Sequence, residues 1–418
     1  MTGTKFSGIA SIGEIPAHWK IYRIKSLLSL RSEKNSGDRD LLSVYLDRGV
    51  ISYNDSDGMQ VHKPSADLSN YQNVHIGDFV LNNQQAWRGS VGVSKYDGII
   101  SPAYFVFSLS DKCDPDYMNF LLRDGSMVQQ YETASRGVGT IQRNLYALWF
   151  YESLVALPPL AEQRCIADFL NTKCAEIDAL TADIQTQIDT LEQYKRSVIT
   201  ETVTKGLNPN AEMKDSGVFY MAPMNASWRL TKIGYICTKL SRSFVSEDAA
   251  LICSNKGKVQ VRADDLTGIM VSDDNAMQGI RAGDIAIHGM DTWHGAIALS
   301  EFDGKITRVV HVCDSTEDKR FIVYYMQHLA FQGVYKLISN GVRGNTSDFR
   351  SWDKVCDIWI AIPKTRQEQE AICDYLDRQC NAVEEVISTK KQQLEVLATY
   401  KKSLIFEYVT GKKKVPLS

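Results

Sequence analysis

This chain of 418 residues contains no apolar run long enough to span a bilayer. Its opening, MTGTKFSGIASIGEIPAHW, lacks the apolar stretch of a signal peptide, so the expected location is the cytoplasm. The nine cysteines are odd in number and scattered with no CxxC pair, which opposes both a zinc ribbon and a disulfide framework. Nor is there an excess of positive charge: 47 Lys and Arg face 50 Asp and Glu, a formal net charge of −3. Bulk attraction to nucleic acid is thereby excluded, and any such binding must use local patches. Catalytic signatures are missing too. There is no GxxxxGK[ST] phosphate loop, no HExxH and no pair of histidines on a helical pattern. Gly137-Val138-Gly139 is too short for a dinucleotide fingerprint, and Asn208-Pro209-Asn210 lacks the aromatic residue that would stack a flipped base.

What is present is a duplication. Ala161 to Gly206 returns as Gln367 to Lys412, with Gln163/Gln369, Cys174/Cys380, Leu191/Leu397, Tyr194/Tyr400 and Lys195/Lys401 all 206 positions apart. The same spacing relates Gly77-Asp78 to Gly283-Asp284, Trp87 to Trp293, Gly89 to Gly295, Ser94 to Ser300 and Asp97-Gly98 to Asp303-Gly304. At a spacing of 209, Ser7, Gly8 and Trp19 match Ser216, Gly217 and Trp228. The repeated unit is a whole domain plus a helix. Between the matched positions the text differs freely, NNQQAWRGSVGVSKYDG against HGMDTWHGAIALSEFDG.

The repeated segments predict two long helices. Leu170, Ile177, Ile184, Leu191 and Val198 recur every seven residues, widened by Leu180, Ile188 and Tyr194, without Gly or Pro before Gly206. The second line runs Leu376, Val383, Lys390, Leu397 and Leu404, flanked by Val386, Ile387, Leu394 and Tyr400, with Lys390 as its polar break. Pro158-Pro159 opens the first, and Thr365 stands at capping-box spacing before Glu368. Gly206 and Gly411 mark the ends, and Cys174 and Cys380 fit as small buried fillers. About 45 residues at 1.5 Å each give a helix on the order of 65 Å, longer than a globular domain needs. Two such stripes in one chain most simply pack on each other as an intramolecular coiled coil.

The expected architecture is mixed α/β. A first domain spans 1–157, a spacer helix 158–206, a second domain 207–362, a second spacer helix 363–411 and a basic tail 412–418. Short β-type runs alternate with turn signals in both domains, and Asp114 to Ser135 and Thr316 to Asn340 read as helices, with Met118, Leu121, Leu122 and Val128 on one face. Antiparallel pairing of the two spacer helices would relate the domains by a pseudo-twofold axis.

This order resembles the specificity subunit of type I restriction-modification enzymes, and the resemblance covers essentially the whole chain. It rests on Leu157-Pro158-Pro159-Leu160 with Glu162-Gln163, on the two Gly-Asp pairs, and on IGEIPAHW at Ile12 to Trp19. The second helix departs from the pattern, reading IPKTRQEQ where the first reads LPPLAEQ, which questions the local helix start. The resemblance implies a non-catalytic DNA-reading subunit with two target-recognition domains, each reading one half of a bipartite, asymmetric site in double-stranded DNA. It further implies antiparallel helices that set the spacer and dock two methyltransferase subunits, with restriction-translocase subunits joining for cleavage and no membrane partner. No cofactor belongs to this chain on that reading; S-adenosylmethionine goes with the methyltransferase subunits, ATP and magnesium with the motor subunits.

Base edges are read by Arg, Asn, Gln and acidic side chains, so the divergent polar loops are the candidates. In the first domain these are Asn83, Gln84, Gln85 and Arg88, with Arg136, Thr140, Gln142 and Arg143. In the second they are His288, Asp291, Thr292 and His294, with Arg343, Asn345, Thr346 and Arg350. Lys34, Lys256, Lys258 and Arg262 are candidate phosphate contacts, which position a protein without carrying sequence information. Trp87 and Trp293, equivalent in both copies, are assigned to packing. Two other readings compete: a coiled-coil scaffold without DNA specificity, and a nuclease whose active site carries no known motif.

Overall fold

The apolar repeats form two continuous helices, Leu160–Lys205 and Arg366–Val409, of 46 and 44 residues. At the first start, Pro159 supplies the carbonyl that receives the amides of Glu162 and Gln163 at 2.9 and 3.0 Å. The departing second start works by a different device. Thr365 Oγ1 accepts from the Glu368 amide at 3.3 Å, a hydroxyl cap where the first copy uses proline. Both helices end on a glycine in the left-handed region, Gly206 at φ 86° and Gly411 at φ 71°.

The structure, a computed structural model, describes residues 3–35, 37, 39–56, 64–65, 67–138, 142–262, 274–339 and 349–416, without the side chains of Val138 and Gln142. The chain divides into two units, Met1–Ile184 with Gln392–Ser418, and Gln185–Lys391. Each unit thus holds one domain, the start of the helix that follows it and the end of the other long helix.

Within each unit the two helix segments run antiparallel. Lys401 Nζ reaches the Asp178 carboxylate at 2.6 and 2.8 Å in the first unit, and Lys195 Nζ reaches Glu384 at 2.5 Å in the second. The heptad positions face inward: Leu170, Ile177, Ile184, Leu376, Val383 and Leu404 are buried. Cys174 and Cys380 are buried as well, and burial pushes both thiols up in pKa. The flanking residues Leu180, Tyr194, Val386 and Tyr400 behave differently, remaining 47, 50, 45 and 53 % exposed. They widen the apolar stripe in sequence but stand outside the helix–helix seam. Lys390 bonds to Gln187 across that seam.

The domains repeat one sheet in one register. In the first unit the order is Leu28–Leu30, Tyr104–Leu109, Phe79–Asn82, Val91–Val93, all antiparallel, with Phe79 opposite both Phe107 and Val93. In the second it is Cys237–Lys239, Val310–Ser315, Ile285–His288, Ile297–Leu299, with Ile285 opposite Cys313 and Leu299. A further sheet in the second unit pairs Ala250–Ser254 in parallel with Gly304–Thr307. In the first unit an isolated parallel bridge, Leu41 to Ile99, marks the same place.

The segments read as single helices are each broken. Asp124 ends Pro115–Arg123 and caps Gly125–Thr133 by accepting from the Ser126 amide at 2.9 Å. Gly333, at φ 70°, separates Lys319–Phe331 from Val334–Ile338. Met118, Leu121 and Leu122 lie in the first core and Val128 packs against it, so the apolar face continues across the break.

The duplicated motifs explain themselves as joints. Glu162 accepts from Trp19 Nε1 at 3.1 Å, and Glu368 from Trp228 Nε1 at 2.9 Å. The neighbouring Gln163 and Gln369, each 1 % exposed, accept from the amides of Asp114 and Asp318, both at 2.9 Å. Those aspartates in turn cap the helices beginning at Pro115 and Lys319. In the Gly-Asp turns, Gly77 and Gly283 (φ 89° and 86°) donate to Ser94 and Ser300, each at 2.8 Å. Asp78 and Asp284 are buried and each meets an arginine, Arg31 at 2.9 Å and Arg242 at 2.6 Å.

Candidate nucleic-acid interface

In the first unit the tight turn Ala86–Arg88 joins two sheet strands and closes on Gly89 at φ 97°. The hairpin Ser135–Val138 with Gln142–Leu145 lies some fifty residues later, yet one residue ties it to that turn. Asn83 offers both its backbone carbonyl and its Oδ1 to the Leu145 amide, at 3.1 and 3.0 Å. Two loops distant in sequence thereby become one surface.

On that surface two guanidinium groups lie over the Trp87 ring, Arg88 at 4.6 Å and Arg143 at 4.8 Å from its centre. Its Nε1 donates to Gln84 O at 3.1 Å, fixing the ring. Arg143 also pairs with Glu132 at 3.0 Å, and Arg136 lies 4.2 Å over the Trp149 ring. Gln84, Arg88 and Arg136 are exposed, and Gln85 is partly so. Planar cations fixed on aromatic faces present donors in the fork geometry that suits guanine edges and phosphates.

The second unit builds the same loop from other chemistry. The turn Thr292–His294 closes on Gly295 at φ 80°. The Phe349 amide donates to Gly289 O at 3.1 Å, the place taken by Leu145 and Asn83 in the first copy. Only glycine fits there, since a Cβ on Gly289 would meet Phe349 O at 2.9 Å and Val309 O at 3.0 Å. His288 Nδ1 accepts from the Asp291 amide at 3.0 Å; burial lowers its pKa, opposed by the Asp291 carboxylate. His294 and Arg350 are exposed, and Arg350 reaches the Met290 sulfur at 3.0 Å.

Thr292 departs from expectation. It is fully buried and donates to His288 O at 2.8 Å, so its side chain stabilises the turn and offers no edge to a ligand. Asn83 is likewise a tie between loops. Lys258 is exposed and pairs with Glu384 on the second long helix. Lys256 is exposed in the turn beside it, Arg262 is half-buried, and exposed Lys34 approaches Asn70 at 3.5 Å. Thr140, Arg343, Asn345, Thr346 and the Gln142 side chain lie outside the described residues. Trp293 packs against the second core with Lys336 5.6 Å over its ring.

Several contributors escaped the sequence reading. The Arg31–Asp78 and Arg242–Asp284 pairs hold the turn frame, and their only signal was the repeated Gly-Asp. Tyr146, Leu148 and Trp149 are 50, 80 and 42 % exposed beside the first-unit surface, hidden in what reads as an ordinary apolar run. Among the described residues, no group of three or more His, Cys, Asp or Glu is placed to hold a metal ion, and no helix is long and apolar enough to cross a membrane.

No protein-family model matches the chain. It is 23 % identical over 452 aligned positions, 97 % of this chain and 96 % of the other, to a protein of Methanocaldococcus jannaschii named "Putative type I restriction enzyme MjaX specificity subunit". Among solved structures it resembles a chain from work on complex assembly and conformational transition of the type I R-M system, with a TM-score of 0.69, 17 % identity and coverage of 96 and 99 %. The HsdS subunit from Thermoanaerobacter tengcongensis aligns at a TM-score of 0.47 and 16 % identity over 96 and 98 %, too loosely to weigh in the argument. The chain is thus similar over its full length to a protein named as a type I restriction enzyme specificity subunit, and it shares the fold of a chain from a type I R-M system.

Proposed function

We propose that this chain reads a bipartite DNA site for a type I restriction-modification assembly, one half-site per domain, and performs no chemistry itself. The observation that carries the reading is one scaffold holding two different loops. The joints repeat residue for residue, whereas the loops carry exposed Gln84, Arg88 and Arg136 with half-buried Arg143 in one unit, and exposed His294 and Arg350 with half-buried His288 and Asp291 in the other. A scaffold that bound only common partners would have no use for that divergence.

The long helices serve as ruler and dock. A helix of 46 residues is about 69 Å long, enough for half-sites one DNA turn, about 34 to 36 Å, apart plus anchorage at both ends. The docks are the apolar pairs left outside the seam. Leu180 and Tyr400 stand at matching levels in the first unit, Tyr194 and Val386 in the second. Each unit presents one such pair, which suits two identical methyltransferase subunits carrying S-adenosylmethionine. Restriction-translocase subunits with ATP and magnesium would join that complex, in the cytoplasm.

Methylation-site mapping of cells expressing the chain with its methyltransferase subunits tests the reading. Exchanging residues 1–157 for the corresponding domain of a relative should change one half-site only. A change in both halves, or methylation without a bipartite site, refutes it.

A further inference from the structure

The helix Ala147–Tyr151 follows the first-unit hairpin and carries the most exposed large aliphatic side chain of the described residues, Leu148 at 80 %. Tyr146 and Trp149 flank it with their rings 5.4 Å apart. The platform beneath is rigid: Phe150 is fully buried, and the Tyr146 amide donates to Ala134 O at 2.9 Å at the base of the hairpin. Arg136 lies over the Trp149 ring, and Arg143 and Arg88 lie over that of Trp87 on the adjoining loop. An exposed apolar side chain on a surface whose tryptophan rings carry guanidinium groups is matched to an anionic polymer with an apolar interior, and exposed apolar clusters of this kind mark binding sites.

The second unit tells which ligand is meant. Its corresponding helix, Trp352–Cys356, aligns through the buried pair Phe150 and Val355, so that Asp353 and Lys354 stand where the first unit has Leu148 and Trp149. A surface for a partner common to both units would be apolar in both, as the Tyr194 and Tyr400 positions are. This one is apolar in a single unit and continuous with that unit's divergent loops.

We propose that Leu148, backed by Tyr146 and Trp149, is an apolar wedge that enters a base step bordering the first domain's half-site and unstacks it, while the second domain reads its half-site without insertion. This rests on the DNA-reading function proposed above. Insertion of aliphatic side chains between base steps is an established way to kink a duplex, with the unstacking offset by added contacts. Arg88, Arg136 and Arg143 would hold the flanking phosphates as the step opens.

The test uses the whole chain assembled with its methyltransferase subunits. Duplexes containing the mapped site would carry 2-aminopurine at successive positions through both half-sites, leaving out the methylated adenines. Fluorescence should rise several-fold on binding at one step of the first half-site. Leu148→Ala should abolish that rise and weaken binding roughly tenfold with the salt dependence unchanged. Because Leu148 is exposed, its thermal unfolding should match the parent protein, and Leu148→Asp, which copies the second unit, should act alike. A mapped site with no such step, equal rises in both halves, or a rise that survives Leu148→Ala overturns the wedge alone. Loss of methyltransferase assembly by Leu148→Ala in the absence of DNA would make the patch a protein contact and overturn it too. If no sequence-defined site exists, the DNA-reading function falls, and the wedge with it.

Discussion

Gln163→Glu should be among the most damaging near-isosteric substitutions in the first unit. The Gln163 amide is buried, accepts from the Asp114 amide at 2.9 Å, and donates to Lys112 O at 2.9 Å and Pro158 O at 3.0 Å. A carboxylate preserves the accepted bond but cannot donate, so two carbonyls would face a negative oxygen. At about 1 to 3 kcal/mol for each buried group left unpaired, the expected cost is about 3 to 5 kcal/mol near neutral pH. Protonating the new carboxyl restores one donor, so its pKa in the folded chain must lie above that in the unfolded chain. The deficit should therefore be present near neutral pH and shrink as pH falls through the folded-state value. Urea titrations of variant and parent at pH 7.5 and pH 5.5 measure the difference, and amide exchange at the start of Pro115–Arg123 locates it. A variant as stable as the parent at pH 7.5, or a deficit that grows on acidification, refutes the hydrogen-bond assignment.

Other expectations follow from the same contacts. Arg242→Ala leaves the buried Asp284 carboxylate without its paired contacts at 2.6 and 2.7 Å and should cost about 3 to 5 kcal/mol in chemical denaturation. Tyr194→Ala and Tyr400→Ala should shift stability by less than about 0.5 kcal/mol, yet weaken methyltransferase association tenfold or more in titration calorimetry; unchanged association removes the proposed docks. Burial pushes His328 down to about 4, with its Nδ1 3.1 Å from Thr200 Oγ1 on the first long helix. Its folded pKa is depressed, so the unfolded chain takes the proton first. The resulting stability, about 3 kcal/mol, is present above pH 6.5 and lost as pH falls toward 4. His328→Gln should flatten thermal unfolding across that window.

The long helices were legible because a seven-residue apolar period over more than forty residues has no competing explanation in secondary structure. Their buried seam was legible only in part. Leu180 and Tyr194 satisfy the same period as Ile184 and Ile188 but stand outside, because a two-helix seam covers a narrower arc than the apolar stripe. The broken helices at Asp124 and Gly333 were missed for the opposite reason. The apolar face continues through the break, and the aspartate that caps one segment looks like an ordinary polar position of a longer helix.

The candidate interface divides similarly. Its loops could be located from divergence between the copies, but not its architecture, since the bond from Leu145 to Asn83 and the stacking of Arg143 on Trp87 join residues 62 and 56 positions apart. Thr292 was misread because its hydroxyl satisfies a backbone carbonyl inside the turn, a local use that composition does not distinguish from ligand contact.

Exposure and repetition together assign roles that neither assigns alone. Positions kept in both copies and buried, such as Gln163 and Gln369 or Trp19 and Trp228, are accounted for by folding, because their polar atoms are satisfied within their own unit. Tyr194 and Tyr400 are kept but half exposed, and their rings contribute little to the seam, so the fold gives no reason for their retention. A partner common to both units does. Leu148 and Asp353 are exposed and differ, which neither folding nor a common partner requires. Under the proposed function the ligand that differs between the units is the half-site, and that makes divergence at an exposed, rigidly held position the mark of a residue that meets DNA.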